Sequence, residues 1–275
     1  MDRVQQQRFE FKYIIPEDRA LAIRDFVSAY LELDEFGRRF ESLSYPVHSL
    51  YLDSEMLDLY MHTINGDKNR HKLRIRYYEQ EGTTPLFFEI KRRQDNVISK
   101  VRCKVKRESL HRLLWGDDPD FDDLVSPSDE ELEKLRFFCR LRRSIDATPR
   151  SQVSYLREAW LPEEENHLRI TFDRDVRTGP DREAAMSTET DHLAQVFGDR
   201  VVLELKFTNR FPDWVRELVR VFNLIQTSAA KYVDGVVVLG ESRLTERMLD
   251  EIASGDGYSM RERRHASFAR RLQAV

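Results

Sequence analysis

The sequence predicts a mainly antiparallel β fold of the α+β class, an eight-stranded closed tunnel barrel with helices packed outside. Three observations carry this prediction. About eight segments alternate apolar and polar residues with the period of a β-strand. Helical segments lie between them without the strand–helix–strand rhythm of a parallel sheet. Most of these strands also place their charged residues on one face, as a barrel lined by charge would require.

The eight strands are predicted from their alternation and from the turns that separate them. The first strand has the sequence "RFEFKYII", and three strands follow one another closely between residues 70 and 107. The turns "EQEGTTP" and "QDN" between those three strands are typical of an antiparallel meander. The predicted strands cover residues 8–15, 45–53, 70–79, 86–94, 97–107, 150–160, 167–176 and 200–207.

Helices are predicted in the segments between the strands. Pro16 stands at a favourable first-turn position for a helix that runs to about Tyr30. An acidic loop over 116–131 precedes a helix that ends near Ile145, in which apolar residues recur at helical spacing. The remaining predicted segments are helices over 54–64, 212–224 and 241–252, a surface excursion over 178–191 and a last extended segment over 231–240.

Composition narrows the class of protein. The chain has 275 residues, of which 40% are hydrophobic and 34% charged, and its net charge is −4. These values are typical of a globular protein and exclude a polycation. Cys103 and Cys139 have no metal-like spacing and form no disulfide framework, which fits a reducing compartment. The N-terminus lacks an apolar signal region, and no apolar run approaches the ~18–20 residues that span a bilayer. We therefore expect a cytoplasmic protein without a transmembrane segment.

The charged faces of the strands are strongly cationic. In "HKLRIRYY", Arg74 and Arg76 share one face of the strand, while the apolar residues take the other face. The pattern returns in six or seven strands, and the tripeptide Glu-X-Lys occurs three times. The residues on these faces are Arg8, Glu10, Lys12, Glu89, Lys91, Arg93, Lys100, Arg102, Lys104, Lys106, Tyr155, Arg157, Arg169, Thr171, Asp173, Glu204 and Lys206.

Two interpretations of these faces compete. A solvated sheet face also carries Lys, Glu and Arg, supported by cross-strand ion pairs. However, "KVRCKVKR" places four cations two residues apart with no acid among them, so they repel one another. If helices cover the apolar faces, the cations line a narrow interior that requires an anion, and phosphate chains suit Arg and Lys. The inward acids Glu10, Glu89 and Glu204 are then candidates for a divalent metal.

Nine motifs in order resemble the VTC domain, the polyphosphate polymerase domain of the vacuolar transporter chaperone family within the CYTH-like triphosphate tunnel metalloenzymes. The resemblance runs from about residue 8 to residue 240. It implies a tunnel that binds ATP with Mn²⁺ or Mg²⁺ and transfers the terminal phosphate to a growing polyphosphate chain, with inorganic polyphosphate or pyrophosphate as partner. The motifs are "FEFKY", "SLYLDSEMLDLY", "KLRIRYY", "FFEIKRR", a cationic strand, "YLREAW", "LRITFD", "LELKF" and "KYVDGV".

The resemblance also implies a set of functional residues. Glu204 resembles the metal-binding glutamate, with Glu89 and Glu10 as further metal candidates. Either Lys104 or Lys106 matches a further tunnel lysine, and the alternation does not choose between them. The expected domain spans residues 1–252, and a basic tail over 253–275 could form a helix. The catalytic set is Lys12, Arg74, Arg76, Lys91, Arg157 and Lys231. The substrate-binding set is Arg102, Lys104, Lys106, Arg169 and Lys206.

Two departures from the family pattern bear on the function. Ala230 precedes Lys231 where the family often has Ser, which predicts the loss of one hydroxyl contact to phosphate, although Ser228 is close in sequence. Arg8 stands where related hydrolases and cyclases carry a second Glu, which argues against the alternative of a tunnel triphosphatase. A non-catalytic module that binds polyphosphate or inositol phosphates is the other alternative, although an anion sensor gains nothing from Glu204. Nucleic acid is not an expected partner, because few aromatic residues interleave with the cations.

Overall fold

The chain forms an antiparallel sheet with α-helices, as a computed structural model of residues 8–82, 84–95, 97–163, 167–208 and 211–245 shows. Within these residues the model has ten strands. They are β1 (Arg8–Ile15), β2 (Glu32–Leu33), β3 (Tyr45–Asp53), β4 (Asn69–Tyr77), β5 (Leu86–Gln94), β6 (Val97–Val105), β7 (Thr148–Leu161), β8 (Leu168–Pro180), β9 (Ala194–Gln195) and β10 (Val201–Thr208).

The main sheet follows the order β1-β10-β8-β7-β3-β4-β5-β6, while the short β2 pairs with β7 and the short β9 with β8. The registers of β1 with β10, β10 with β8, β4 with β5 and β5 with β6 are all antiparallel. The mainly antiparallel α+β class is thus confirmed. Because this order has β1 at one end and β6 at the other, closure of the eight main strands into a tunnel stays a prediction.

Six α-helices connect the strands within the described residues. None of these six helices is both long and apolar enough to cross a membrane. The helices are α1 (Glu17–Val27), α2 (Asp58–Ile64), α3 (Leu110–Trp115), α4 (Asp129–Ser144), α5 (Asp213–Val221) and α6 (Lys231–Leu239).

The chain divides into two compact units, and strands β3, β7 and β8 and helix α6 contribute residues to both. The first unit contains the described residues up to His48 together with 153–178 and 188–235. Its apolar core joins α1 to β1, β8 and β10, and includes Ile23, Phe172 and Leu203, none of which is exposed to solvent. The opposite faces of β1 and β10 carry the charged residues, as the alternation predicts.

The second unit contains residues 49–152 and 179–187 and the described residues from Val236 onward. Its core buries Leu73 and Ile75 of β4 and Phe88 of β5 under helix α4. The ring of Phe138 in α4 meets the ring of Phe88 edge-on, with centroids 4.9 Å apart. In this unit a helix therefore covers the apolar face of the strands, and the charged face is the other one.

The prediction of an extended segment over 231–240 is wrong. Residues Lys231–Leu239 form helix α6, and the carboxylate of Asp234 accepts a hydrogen bond from Ala230 N at 2.7 Å near its start. A short apolar run such as "VVVL" fits either a buried strand or a buried helix, and periodicity alone does not separate them. The correction matters because Lys231 now projects from the first turn of a helix.

Gly235 marks a close approach of α6 to β8. A Cβ atom at this position would lie 3.0 Å from Oγ1 of Thr178 and 3.2 Å from its Cβ. Thr178 is fully buried, so its side chain has little room to move away from an added methyl group. Alanine is normally more favourable than glycine in a helix by about 1 kcal/mol. At this position the methyl group of an alanine would crowd Thr178, so the close approach favours glycine.

The other boundaries differ modestly from the predicted ones. Strand β6 ends at Val105, and the segment after it forms α3, which the sequence analysis missed. The acidic loop contains a short 3₁₀ turn at Phe121–Asp123, and Ser128 Oγ caps α4 by accepting from Glu131 N at 3.2 Å. Of the predicted helix over 241–252, residues Glu241–Arg243 form a 3₁₀ turn and the remainder after residue 245 lies outside the described residues. The tail over 253–275 and the domain boundary also lie outside them.

Candidate functional site

One group of charged side chains surrounds Glu204 in the first unit. Glu204 pairs in register with Lys12 of β1 and with Thr171 of β8. Two residues along β10, Lys206 pairs with Glu10 of β1, so cations and acids alternate across these strands. We call the following residues the Glu204 cluster: Glu10, Lys12, Arg157, Asp173, Glu204, Lys206 and Lys231.

The carboxylate of Glu204 is shared by three lysines. Its residue is only 4% exposed, and Lys206 Nζ lies 2.5 Å from Oε2. The other oxygen, Oε1, lies 3.1 Å from Nζ of Lys231 and 3.5 Å from Nζ of Lys12. Lys12 in turn contacts Glu10 Oε1 at 3.1 Å. Both oxygens of Glu204 are therefore engaged by ammonium groups.

Asp173 is the second fully buried acid of the cluster. Arg157 donates two parallel hydrogen bonds to it, each 2.7 Å long, from Nε to Oδ1 and from Nη2 to Oδ2. Lys231 Nζ lies 2.7 Å from Oδ2 of Asp173, so one ammonium group bridges Asp173 and Glu204. This bidentate geometry fixes the plane of the guanidinium group of Arg157.

The charges of the cluster stabilise one another. Burial opposes ionisation of Glu204, but Lys206, Lys231 and Lys12 outweigh it and hold the pKa of Glu204 well below its usual range. Burial likewise opposes the charge on Lys231, yet Asp173 and Glu204 raise the pKa of Lys231 above its usual value. Glu204 and Lys231 are therefore ionised at neutral pH.

Arg169 lies on the same strand face but has separate partners. Its Nη2 atom is 3.2 Å from Oδ2 of Asp34, and the hydroxyl of Tyr45 donates to the same oxygen at 3.0 Å. Burial raises the pKa of Tyr45 above its usual value, with a contribution from Asp34. The predicted substrate residue Arg169 is thus held by an acid on the loop before β3.

A second group of charges forms a regular grid in the second unit. On the face opposite the core, strands β4, β5 and β6 align three rows of three residues in register. Glu89 occupies the middle of the grid, and the single aromatic position is Phe87. We call this grid the Glu89 array; its rows are Lys72, Lys91 and Lys100, then Arg74, Glu89 and Arg102, then Arg76, Phe87 and Lys104.

Glu89 is fully buried and contacts cations from both neighbouring strands. Arg74 of β4 reaches Oε2 with Nε at 2.7 Å and with Nη2 at 2.6 Å, and its Nη1 donates to the hydroxyl of Tyr51 at 3.2 Å. From β6, Lys100 Nζ lies 2.7 Å and Arg102 Nε 3.2 Å from Oε1. The central acid therefore joins side chains from three adjacent strands.

Burial and neighbouring charges shift the pKa values of Glu89 and Lys100 in the array. Burial opposes ionisation of Glu89, but Arg74, Arg76 and Lys100 outweigh it and keep the pKa of Glu89 far below its usual range. Burial, reinforced by Arg74 and Arg76, lowers the pKa of Lys100 to about 7 despite the attraction of Glu89. The guanidinium of Arg102 lies over the ring of Phe87, 3.7 Å from its centroid. The grid holds seven basic side chains and one acid, of which Lys100 is only partly protonated at neutral pH, so its balance is positive.

The structure distributes the predicted residues between these two groups. The Glu204 cluster contains Lys12, Arg157, Lys206 and Lys231, whereas the Glu89 array contains Lys91 and the cations of β4 and β6. Of the two lysines that alternation left open, Lys104 lies in the array. Lys106 follows the end of β6, where its backbone N–H donates to Asp123 O at 2.8 Å. Among the three acids, Glu10 and Glu204 lie in one group and Glu89 in the other.

Three charged residues of these groups, Asp173, Lys72 and Lys100, were missing from the predicted functional set. Asp173 alternates with Arg169 and Thr171 along β8, so the alternation places it on the charged face, but Arg174 and Asp175 follow it directly and the local sequence does not distinguish it from them. Lys72 alternates with Arg74 in the same way, and only the register with Lys91 shows that it extends a row of lysines. Among the described residues, no group of three or more His, Cys, Asp or Glu side chains is arranged to hold a metal ion.

Comparison with known proteins adds two kinds of similarity. The family model described as VTC domain matches residues 7–240. Subunit 4 of the vacuolar transporter chaperone complex of Schizosaccharomyces pombe is 21% identical over 271 residues, a match that covers 85% of this chain. The chain spans only 37% of the length of that relative.

Two solved structures resemble the chain at low sequence identity. A candidate adenylate cyclase of Bacillus halodurans has a TM-score of 0.45 and 11% identity, with 82% of this chain and 94% of that chain covered. The PH1819 protein of Pyrococcus horikoshii has a TM-score of 0.41 and 12% identity, with coverages of 84% and 99%.

Proposed function

The chain belongs to the VTC domain family, and from this premise we propose that it is a polyphosphate polymerase. The proposed reaction transfers the terminal phosphate of ATP to a growing polyphosphate chain with the help of Mn²⁺ or Mg²⁺. The vacuolar transporter chaperone relative supports a function related to polyphosphate, and the charge of the two groups described above supports a phosphate-transfer enzyme.

The observation that carries the proposal is the excess of positive charge in the Glu89 array. Seven cations surround one acid on three adjacent strands, and the side chain of Lys100 is 41% exposed, so water and ligands reach this face. Like charges at strand spacing destabilise a fold unless an anion offsets them. A phosphate chain supplies one negative charge or more per unit, and Arg forks and Lys ammonium groups both suit its oxygens.

The Glu204 cluster suits the metal-dependent part of the reaction. Its acids are hard oxygen donors that stand beside cations, and Mg²⁺ is commonly held by one or two carboxylates together with substrate phosphates. Glu204 and Glu10 would hold the ion, and Lys12 and Lys231 would bind phosphate oxygens. When bound, the metal would neutralise charge that develops on the transferred phosphoryl group.

The chemistry asks little of the protein beyond position and charge. Phosphoryl transfer proceeds through a transition state in which negative charge spreads over oxygens, so fixed cations supply most of the catalysis. Arg157 is held in plane by Asp173, which preorganises its donors. The acceptor phosphate is already anionic at neutral pH, so the reaction does not require a general base.

A non-catalytic polyphosphate-binding module is the second candidate. It is favoured by one observation: the carboxylate of Glu204 is already neutralised by Lys12, Lys206 and Lys231, so the cluster is complete without a metal. The two candidates agree on the ligand and differ in turnover.

One experiment separates them. We expect the purified chain, incubated with ATP and Mn²⁺, to produce polyphosphate visible on a gel and to release ADP in proportion. A parallel incubation with EDTA should show neither product. Polyphosphate binding without any product would establish the binding module, and ADP release with free phosphate but no chain would indicate a hydrolase.

A further inference from the structure

Glu89 is the single acid of the Glu89 array, and its position raises a question that the metal-binding prediction does not answer. It is fully buried, yet both of its oxygens are directed at cations. Arg74 occupies Oε2 through two nitrogen atoms, while Lys100 and Arg102 flank Oε1. Arg74 thus covers Oε2, whereas Oε1 lies within 3.2 Å of both Lys100 and Arg102 but accepts no well-aligned hydrogen bond.

The grid makes a metal at this position unfavourable. In register, Glu89 has Arg74 on one side and Arg102 on the other, and every other position next to it is a cation or the ring of Phe87. A divalent ion bound to Glu89 would add charge to a surface that already carries seven cations around one acid. Glu204 differs, because Glu10 and Asp173 belong to the same cluster.

We propose that Glu89 is a fixed counter-ion that sets how tightly the Glu89 array holds a phosphate chain, rather than a metal ligand. The inference rests on the proposed function, since it takes polyphosphate as the ligand. Glu89 has two effects. It positions Arg74 and Lys100, and its negative charge competes with phosphate oxygens for the same donors.

This competition has a use in a polymerase. A chain that lengthens by one phosphate must move along the cations after every transfer, so each contact has to be strong enough to guide the chain and weak enough to release it. Without Glu89, the seven basic side chains of the grid would hold a polyanion more firmly and slow its movement, by the logic that governs ion passage through selective pores. One buried carboxylate in the middle of the grid lowers the affinity without removing any donor.

The test is a binding measurement in EDTA, where metal ligation has no effect. We expect Glu89→Gln, which keeps shape and loses charge, to bind a polyphosphate chain about tenfold more tightly than the wild type and to release it more slowly. Glu133→Gln in α4 is the matched control in the same unit, because it removes one exposed acid that pairs with Arg136. Its affinity should stay at the wild-type value.

Thermal melting supplies a second readout. Without ligand, Glu89→Gln should melt below the wild type because three cations lose their counter-ion, and polyphosphate should raise its melting temperature by more than that of the wild type. Unchanged or weaker binding of Glu89→Gln in EDTA would overturn the counter-ion role. If Glu89→Gln does not fold, Glu89→Asp carries the test through its response to metal: it keeps the charge, so a counter-ion role predicts near wild-type affinity in EDTA together with an unchanged requirement for Mn²⁺.

The metal-ligand alternative predicts a different result in EDTA for Glu89→Gln and a different requirement for Mn²⁺ for Glu89→Asp. If Glu89 binds metal, both variants would match the wild type in EDTA and would need more Mn²⁺ to reach half of the maximal binding. Failure of the wild-type chain to bind polyphosphate at all would overturn the proposed function together with this inference. Normal wild-type binding with no gain in Glu89→Gln would overturn the inference alone.

Discussion

The two charged groups place a buried glutamate among cations, but they balance their charge differently. The Glu204 cluster has four cations and three acids, and the contacts described above give each of its members an oppositely charged partner. The Glu89 array has seven cations and one acid. In the cluster the opposite charges are balanced among its own members, whereas basic side chains outnumber acids in the grid of the array. We therefore expect a lost charge in the cluster to lower stability as well as turnover, and a lost charge in the array to change mainly the affinity for an anion.

The largest expected effect tests the structural half of this comparison. Asp173→Asn removes a fully buried charge between Arg157 and Lys231, and breaking a buried ion pair costs about 3–5 kcal/mol. We expect the free energy of unfolding, measured in urea, to fall by roughly that amount. The exposed substitution Asp213→Asn in α5 serves as control and should change little. A stable Asp173→Asn variant would mean that the cluster does not depend on its compensation.

The next effect tests the array as a ligand surface. Arg74→Met with Arg76→Met keeps the apolar stems and removes two guanidinium groups. Because hydrogen bonds to charged groups contribute about 1.5–3 kcal/mol each, the affinity for triphosphate should fall on the order of 100-fold or more. The double change also removes the Arg74 partner of buried Glu89, so we expect a lower melting temperature, and the affinities are compared at a temperature at which both proteins are folded.

The matched control for this pair is Arg216→Met with Arg220→Met on the exposed side of α5, which should leave triphosphate affinity unchanged. Calorimetry measures the affinity, and circular dichroism checks the fold. Equal losses in both double variants would indicate a general effect of net charge and would contradict a specific role for the array.

A third variant, in the Glu204 cluster, tests whether turnover can be lost while polyphosphate binding is kept. Glu204→Gln keeps the shape of the side chain and removes the charge that its three lysines share. We expect turnover to fall about 100-fold, while polyphosphate binding in EDTA survives or strengthens. Turnover is read from ADP release and binding from a titration. Equal losses of turnover and binding would make Glu204 a structural residue only.

The smallest effect concerns pH. Because burial holds the pKa of Lys100 at about 7, this lysine is largely neutral above that pH in the free array. Phosphate favours its charged form, so binding above pH 7 takes up a proton and affinity should fall as pH rises, by at most about tenfold per unit. The free energy of unfolding of the free protein should instead rise with pH between pH 7 and the ordinary lysine pKa, because over that range the unfolded chain binds more protons than the folded chain.

Because Lys100 is partly exposed, we expect the affinity for polyphosphate to change with pH by less than the tenfold per unit given above. Lys100→Met should abolish the slope, and Lys68→Met, at an exposed position outside the array, should keep it. Titrations at several pH values with one polyphosphate length supply the measurement. A slope that persists in Lys100→Met would assign the proton to another group.

The strands and their faces were predictable because alternation is a local signal. The segment "HKLRIRYY" alone placed Arg74 and Arg76 opposite the buried Leu73 and Ile75, as the structure confirms. The family resemblance is likewise confirmed by the match over residues 7–240. The assignment of roles to individual residues stays a prediction that the variants above address.

Two features could not be predicted because they depend on contacts between distant segments. Helix α6 was mistaken for an extended segment, since a short apolar run satisfies either structure until its surroundings are known. The bridge from Lys231 to Asp173 and Glu204 follows from where α6 begins. Alternation identifies a face, but it does not show that Glu89 stands at the centre of a grid, because that requires the register of three strands.

The close approach at Gly235 has a consequence for anyone who wishes to make the protein more robust. Replacing a helical glycine by alanine is a standard stabilising substitution, worth about 1 kcal/mol in an open helix. Here the added methyl group would meet Thr178 at 3.0 Å, so the helix would have to shift outward by a few tenths of an ångström. The shift would carry Lys231 with it, one turn earlier on the same helix. Gly235→Ala would thus change the position of the Lys231 ammonium group without contacting it.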